Sequence, residues 1–509
     1  MNNKMVNKVI KNGLVVCLSL SLYECGTTQI PTEAKQSDIV ISGSNPGITP
    51  FVCSVRLDGR SIAQLASVEF RISPRPNSVS KAVNVTWKRN ALIANGYLQD
   101  SAIELPVFGL YADYENQIAL QLTFTDGSTS QLQTVIRTQP YTDPTGVYSN
   151  PTILKPRMPG TALGFDFFIM KSLVSPPVIV DTDAQIRWAV PGLPTQAVYY
   201  GNGAFIRGND HSLDVTQLRL DGNETTLQTN LPYSLLSEFN HNIDPGPHGL
   251  LSEFNGTDDL GQSIEDMVVE ITPFSSVPPT QIFDLADILT SYMAKNGDDP
   301  TLFVRSGSDW FHVNATVYDP RDNTIIISSR ENFLIKLNYA THDIVWMFGD
   351  PTKYWYTFPS LRAKALTLDT GGLYPVGQHG VSITSDGYVM IFNEGFGSLN
   401  QPSGTSAGIT RTYSAVSTYS INTTTMTAHE VWDFDYGQTI FSAICGSSYE
   451  APGKTYLVDF AAAANRTQAR LVGLDRNHNV AFDFQYAQPT QCGAAWNAIP
   501  IQLDRLQIN

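Results

Sequence analysis

The chain has 509 residues and a formal charge of -15, with 42% hydrophobic and only 16% charged residues. That apolar content builds a large core and excludes a disordered chain. The acidic balance excludes a general nucleic-acid binder, which needs a basic face, so an anionic substrate must be held by a small local cluster of Arg, Lys or His.

Lys4, Lys8 and Lys11 precede a short apolar run, Leu14 to Leu22, and together they read as an export signal over residues 1–25. The run is too short to span a bilayer, and no later stretch is long and apolar enough, so no transmembrane segment is expected. Cys25 stands where a lipoprotein carries its lipid, although Glu24 is a poor residue before it. The expectation is an exported protein of the periplasm or cell envelope, either soluble after ordinary cleavage or anchored through Cys25. Beyond the signal only Cys53, Cys445 and Cys492 remain. An oxidising compartment permits one disulfide, with Cys445 and Cys492 the favoured pair. There is no CxxC pair, so neither a zinc ribbon nor a redox dithiol is expected.

Residues 38–140 read as short alternating strands broken by turn clusters: Val68 to Ile72, Val83 to Trp87, and Gln117 to Phe124 before Thr125-Asp126-Gly127. About a hundred residues of this kind predict a β-sandwich. A Pro-rich connection from Gln139 to Pro151 follows. From residue 150 a strand with a central aromatic or Leu recurs, centred on Trp188, Leu227, Phe283, Trp346, Trp432 and Phe482. Such repeats predict propeller blades, with irregular spacing from inserted loops, notably between 350 and 376. One helix is expected, from Phe283 to Lys295. The predicted fold is all-β: a small N-terminal β-sandwich, then a six-bladed β-propeller catalytic domain over 150–509.

Three of the eight histidines share a context. His241, His312 and His379 each read as opening a strand that is followed by a tight turn and a buried strand. The first strand of every blade lines the central channel, so these residues should meet at one end of it. Asn314, two residues after His312, should face the same side. Arg330 ends the next strand and returns to the same rim. His211, His248, His342, His429 and His478 lie in turn-like or polar contexts and read as surface residues. Three convergent histidines are also a zinc-ligand set. No HExxH or similar spacing occurs, however, and Arg330 opposes a cation, so neither metal nor cofactor is expected.

The run Asp309-Trp310-Phe311-His312-Val313-Asn314, through Tyr318 to Asn323 and on to Ser328-Ser329-Arg330, resembles the bacterial arylsulfate sulfotransferases. Leu105 to Tyr111, with Tyr114-Glu115-Asn116, is similar to that family's N-terminal domain. The resemblance covers most of residues 40 to 500. It implies a six-bladed propeller behind a β-sandwich, and transfer of sulfuryl from a phenolic sulfate to a phenol without a nucleotide donor. It also implies that His379, in Gln378-His379-Gly380, is transiently sulfurylated. His312, Asn314 and Arg330 would bind the sulfuryl oxygens, and His241 in Phe239-Asn240-His241-Asn242 would be a further active-site histidine. Two departures stand out. The family often carries a close Cys pair before the nucleophile strand, and residues 350–378 contain none. A Thr of a later blade is replaced near Ser442 to Cys445.

The chemistry suits these residue types. A neutral imidazole is both nucleophile and leaving group, Arg and Asn supply fixed donors, and His241 or His312 can protonate a departing phenolate. Gly380 is expected to leave backbone room for the adduct. No GxxxxGK[ST] loop occurs, so a nucleotide donor has no support in the sequence. The expected partners are a small phenolic sulfate donor and a phenol acceptor, with a homo-oligomer left open. The other function classes are a propeller hydrolase or lyase, which needs paired carboxylates, and a non-catalytic binding propeller, which needs no histidine convergence.

Overall fold

A computed structural model describes residues 37–509 except 193, 195, 210–211, 228, 230, 232–235, 273–277 and 280. The export segment, Cys25 and His211 lie outside the described residues. The N-terminal domain pairs two antiparallel sheets across one core. Strand Glu115–Phe124 shows the rule that builds it: Asn116, Ile118, Leu120, Leu122 and Phe124 are buried, while Glu115, Gln117 and Gln121 are exposed. Period-two alternation puts one face on the core and the other in water. The expected strands are present within Leu65–Ile72, Val83–Lys88 and Glu115–Phe124. Asn116 is buried because its side chain closes the Tyr111 turn, accepting from the Tyr111 N–H and donating to its carbonyl.

Among the described residues, six further sheets each contain a four-stranded antiparallel order, and together they form a β-propeller. Each of the six repeat centres falls in the fourth strand of one sheet, counted from the inner strand. Middle strands such as Thr324–Ser329, Val389–Asn393 and Thr455–Ala462 are buried at every position, because neighbouring sheets cover both faces. Continuous Ile-, Val- and Phe-rich runs follow from that two-sided burial.

The inner strands lie side by side in chain order: Val198–Gly201, Leu236–Pro245, Val313–Asp319, Gln378–Ile383, Ser447–Ala451 and Asn497–Ile501. Asn497–Ile501 pairs with Phe167–Lys171, so the end of the chain completes the sheet begun by residues 167–188. Thr152–Lys155 in turn pairs with Val480–Ala487. The final strand, Leu506–Ile508, runs back to the sandwich and pairs parallel to Val83–Lys88.

The expected helix is Leu285–Lys295, capped by the Asp284 side chain accepting from Asp287 N–H; Phe283 belongs to strand Ile282–Asp284. The inserted segment after residue 350 folds as two short helical turns, Tyr354–Thr357 and Pro359–Arg362.

Candidate active site

Each of the three histidines sits where its inner strand departs from regular pairing. His241 lies in mid-strand, inside a register shift between Phe239 and Ile243. His312 immediately precedes Val313–Asp319 with a φ of 55°, and pairing shifts between Val313 and Ala315. His379 is the second residue of its strand, at a shift between His379 and Ser382. Bulges turn side chains out of two-face alternation and aim them at a site. Two expectations are thereby corrected. His241 does not open its strand, and Asn314 does not arrive by simple alternation, because the pairing is broken at Asn314 itself.

The rings nevertheless meet. The His241 centroid is 5.0 Å from that of His312 and 5.6 Å from that of His379, and the Trp496 ring is 6.0 Å from both His241 and His379. His379 is 2% exposed, and its Nδ1 lies 2.9 Å from the Gly446 carbonyl. A carbonyl only accepts, so Nδ1 carries the hydrogen and Nε2 keeps its lone pair. Burial holds the ring well below the usual histidine range, with His241 and His312 adding to the effect against the Gly446 bond. His241 is held in the same way: its Nδ1 faces the Asn240 side-chain oxygen at 2.6 Å, and burial lowers it to about 4 against the pull of Glu265.

The Gly446 carbonyl is itself anchored. Gly446 N–H donates to the Trp496 carbonyl, and Trp496 N–H donates to that of Lys171. The favoured cysteine pair forms a disulfide, Cys445–Cys492, which ties the Gly446 loop to the Trp496 loop. Gly380 has a φ of 58°, and a Cβ there would meet Ser447 Cα at 3.1 Å and the Gly446 carbonyl at 3.3 Å. The missing side chain therefore lets the next sheet approach, bringing Gly446 to His379. It does not make room for an adduct, as expected above.

Arg330 follows Thr324–Ser329 and is 3% exposed. Its Nη2 pairs with Glu394 at 2.9 Å and its Nη1 with Glu331 at 3.3 Å, while Nε has no partner. Burial pushes Glu394 up to about 8, against the pull of Arg330. Asn314 is fully buried and donates one N–H to the Gln378 carbonyl at 2.9 Å; its side-chain oxygen has no partner. One amide N–H of Asn314 is left to donate elsewhere. A cleft of about 410 Å³ is lined by Phe396, Phe441 and Ala443 on one side and by the polar Asn465, Arg466, Gln468 and Arg470, and two of its lining residues reach Arg330. The Ala443 carbonyl accepts from Arg330 Nη2, and the guanidinium lies 5.8 Å from the Phe396 ring.

Sequence reasoning missed several partners. Asp309 accepts from His312 Nδ1 at 2.5 Å, and Glu265 stands 2.8 Å from the same nitrogen. Burial opposes the charge on His312, but Glu265 and Asp309 outweigh it and raise the ring to about 10. Asp309 had a local signal, three residues before His312 in the quoted run. Glu265 and Glu394 had none, because they arrive from neighbouring strands. Lys171 is buried beneath Trp496, 2.5 Å from the Asn242 side-chain oxygen.

His241, Glu265 and His312 have ligating atoms within 4.8 Å of one another, a spacing compatible with one ion. His312 Nδ1 is already committed to Asp309, and the Arg330 charge reaches both His241 and His379, which opposes a dication. Of the remaining histidines, His248 and His429 are exposed. His342 and His478 are half-buried in positive-φ turns, stacked near Phe283 and on Trp432 respectively.

Among proteins of known function, arylsulfate sulfotransferase AssT of Escherichia coli O6:H1 is 30% identical over 161 residues, which cover 28% of this chain and 26% of that protein. Among solved structures, the Cps50 (Swd1) β-propeller domain of Myceliophteria thermophila matches with TM-score 0.34 and 11% identity, covering 67% of this chain and 90% of that one. A europium-containing methanol dehydrogenase matches with TM-score 0.33 and 11% identity, covering 75% of this chain and 76% of its own. Residues 47–139 match the arylsulfotransferase Ig-like domain, and residues 154–496, most of the chain, match the arylsulfotransferase (ASST) family. The chain belongs to the arylsulfotransferase family.

Proposed function

We propose that this protein moves a sulfuryl group from a phenolic sulfate ester to a phenol, without a nucleotide, in two half-reactions through a sulfohistidine at His379 on a six-bladed propeller. One observation carries the reading: Nδ1 of buried His379 is tied to the Gly446 carbonyl, which leaves Nε2 as an unprotonated nucleophile. Sulfuryl transfer, like phosphoryl transfer, is catalysed mostly by positioning and charge stabilisation. Arg330, with its unpartnered Nε–H, and the second N–H of Asn314 are the fixed donors for the sulfuryl oxygens. The Phe396 and Phe441 rings, on one side of the cleft near Arg330, offer aromatic surface against which an aryl ring can pack. A hydrolase or lyase using paired carboxylates is less well supported, because Glu265 and Asp309 both face His312. Export to an oxidising compartment is part of the proposal, and the Cys445–Cys492 disulfide supports it.

The test is incubation with 4-nitrophenyl sulfate and phenol, with no nucleotide present. Phenyl sulfate should form with ping-pong kinetics, and donor alone should leave a sulfuryl mass on His379 when mapped at neutral to basic pH. His379→Asn should abolish both half-reactions. Full activity in that variant, or a strict need for a nucleotide sulfate donor, overturns the reading.

A further inference from the structure

Of the three site imidazoles, only His312 is gripped by carboxylates. Asp309 accepts its Nδ1–H at 2.5 Å from the same loop, and Glu265 approaches that nitrogen at 2.8 Å from strand Ser263–Ile271. His241 and His379 instead turn Nδ1 to neutral oxygens, those of Asn240 and Gly446. Glu265 lies 3.6 Å from His241, beyond hydrogen-bonding reach. We propose that Glu265 and Asp309 are positioning residues that make His312 the general acid and base of the transfer, holding it as an imidazolium with Nε2–H as the proton it gives. The inference rests on the sulfohistidine reading above, and it leaves His241 neutral.

A leaving phenolate has to be met by a group that already carries a proton. The titratable groups that bear on His312 are Glu265, Asp309, the neutral His241 and His379, and Glu394; Arg330 bears on His241 and His379. The two carboxylates at contact distance decide the balance, as they do when an Asp orients a catalytic histidine. An imidazolium raised to about 10 has nearly the proton affinity of an ordinary phenol, also about 10, so the proton moves between them with little driving force either way. In the first half-reaction the His379 Nε2–S bond forms as the S–O bond to the aryl group breaks. The Nε2–H bond of His312 breaks in the same step, and its proton goes to the departing oxygen. In the second, neutral His312 takes the acceptor's phenolic proton as the new O–S bond forms and the N–S bond breaks.

The experiment compares two donors on the full-length chain and on Glu265→Gln, Asp309→Asn and the double variant. Phenol release in a single turnover without acceptor is followed from phenyl sulfate, and nitrophenolate release from 4-nitrophenyl sulfate. Nitrophenolate is a weak base and departs without help from an acid. Phenyl sulfate turnover should fall by about 100-fold or more in the double variant, the usual lower scale for a general acid. Nitrophenyl sulfate turnover should fall far less. If both donors slow by the same factor, the carboxylates only support the fold and the proposal is overturned. Nitrogen-15 spectra of the wild-type histidines give a second measurement, with His312 assigned by its loss in His312→Gln. Both of its ring nitrogens should be protonated at pH 8; a neutral His312 overturns the proposal whether or not the variants fold. A wild-type protein that turns over neither donor refutes the sulfotransfer reading itself, which is visible before any variant is made.

Discussion

At the scale of single residues, the site separates its histidines by what each Nδ1 touches. Gly446 and Asn240 offer neutral oxygens to His379 and His241, while Asp309 and Glu265 offer charge to His312. The pH dependence of the first half-reaction follows. For the proposed attack His379 has to be unprotonated, and its titration lies well below 6.5, so the acid limb should fall there. His312 has to be protonated, and it is raised to about 10, so activity is lost as pH rises through that value. Burst rates with phenyl sulfate from pH 5 to 11 should therefore show a broad plateau, and Asp309→Asn should pull its upper edge downward. An upper edge that stays in place in that variant assigns the limb to another group. His241, His312, His379 and Arg330 were legible in the sequence because their residue types carry the chemistry. Glu265 and Glu394 were not legible, since an acidic residue on or just after a strand is ordinary until its spatial neighbours are known.

At the scale of elements, the loops around the channel are joined by polar anchors, in a region where the resembled family often carries a close Cys pair and residues 350–378 hold none. Asp350 accepts from Thr352 N–H and from Ile409 N–H, joining the inserted segment to the loop that follows Asn393. Glu331 accepts from the Leu399 and Asn400 N–H groups, and its carbonyl accepts from buried Lys353. The chain's own disulfide joins the Gly446 and Trp496 loops, next to the carbonyl that holds His379. It closes a loop of 47 residues, worth about 4 kcal/mol by chain entropy alone. Cys492→Ser should lower the unfolding temperature and slow sulfurylation of His379 more than it weakens donor binding, because the Gly446 carbonyl loses a support. Calorimetry and burst kinetics check this; unchanged burst rates would mean that Trp496 alone holds the loop. The strands of this region were legible from alternation and turn clusters. The bulges at His241, Asn314 and His379 were not, because an extra residue in one strand shows only against its partner.

At the scale of the whole molecule, the two C-terminal strands fasten both domains. Removing residues 505–509 deletes Leu506–Ile508 from the sandwich but leaves Asn497–Ile501 to complete its propeller sheet. That truncation should keep transfer activity and quicken proteolysis in the 139–151 connection. Truncation before Asn497 should instead give no folded protein, since Phe167–Lys171 would lose its inner partner. Limited digestion and near-ultraviolet circular dichroism distinguish the two; a folded, active protein lacking Asn497–Ile501 would refute the closure argument. By itself the sequence determined the all-β class, the repeat strands and the histidines, because alternation, turn residues and side-chain chemistry are local properties. Only the tertiary structure decided that each repeat centre is a fourth strand, that the last strand belongs to the sandwich, and that, of the three site histidines, His312 is the one held by carboxylates at contact distance. Those facts depend on which distant segments lie side by side, and burial and ion pairing are set there.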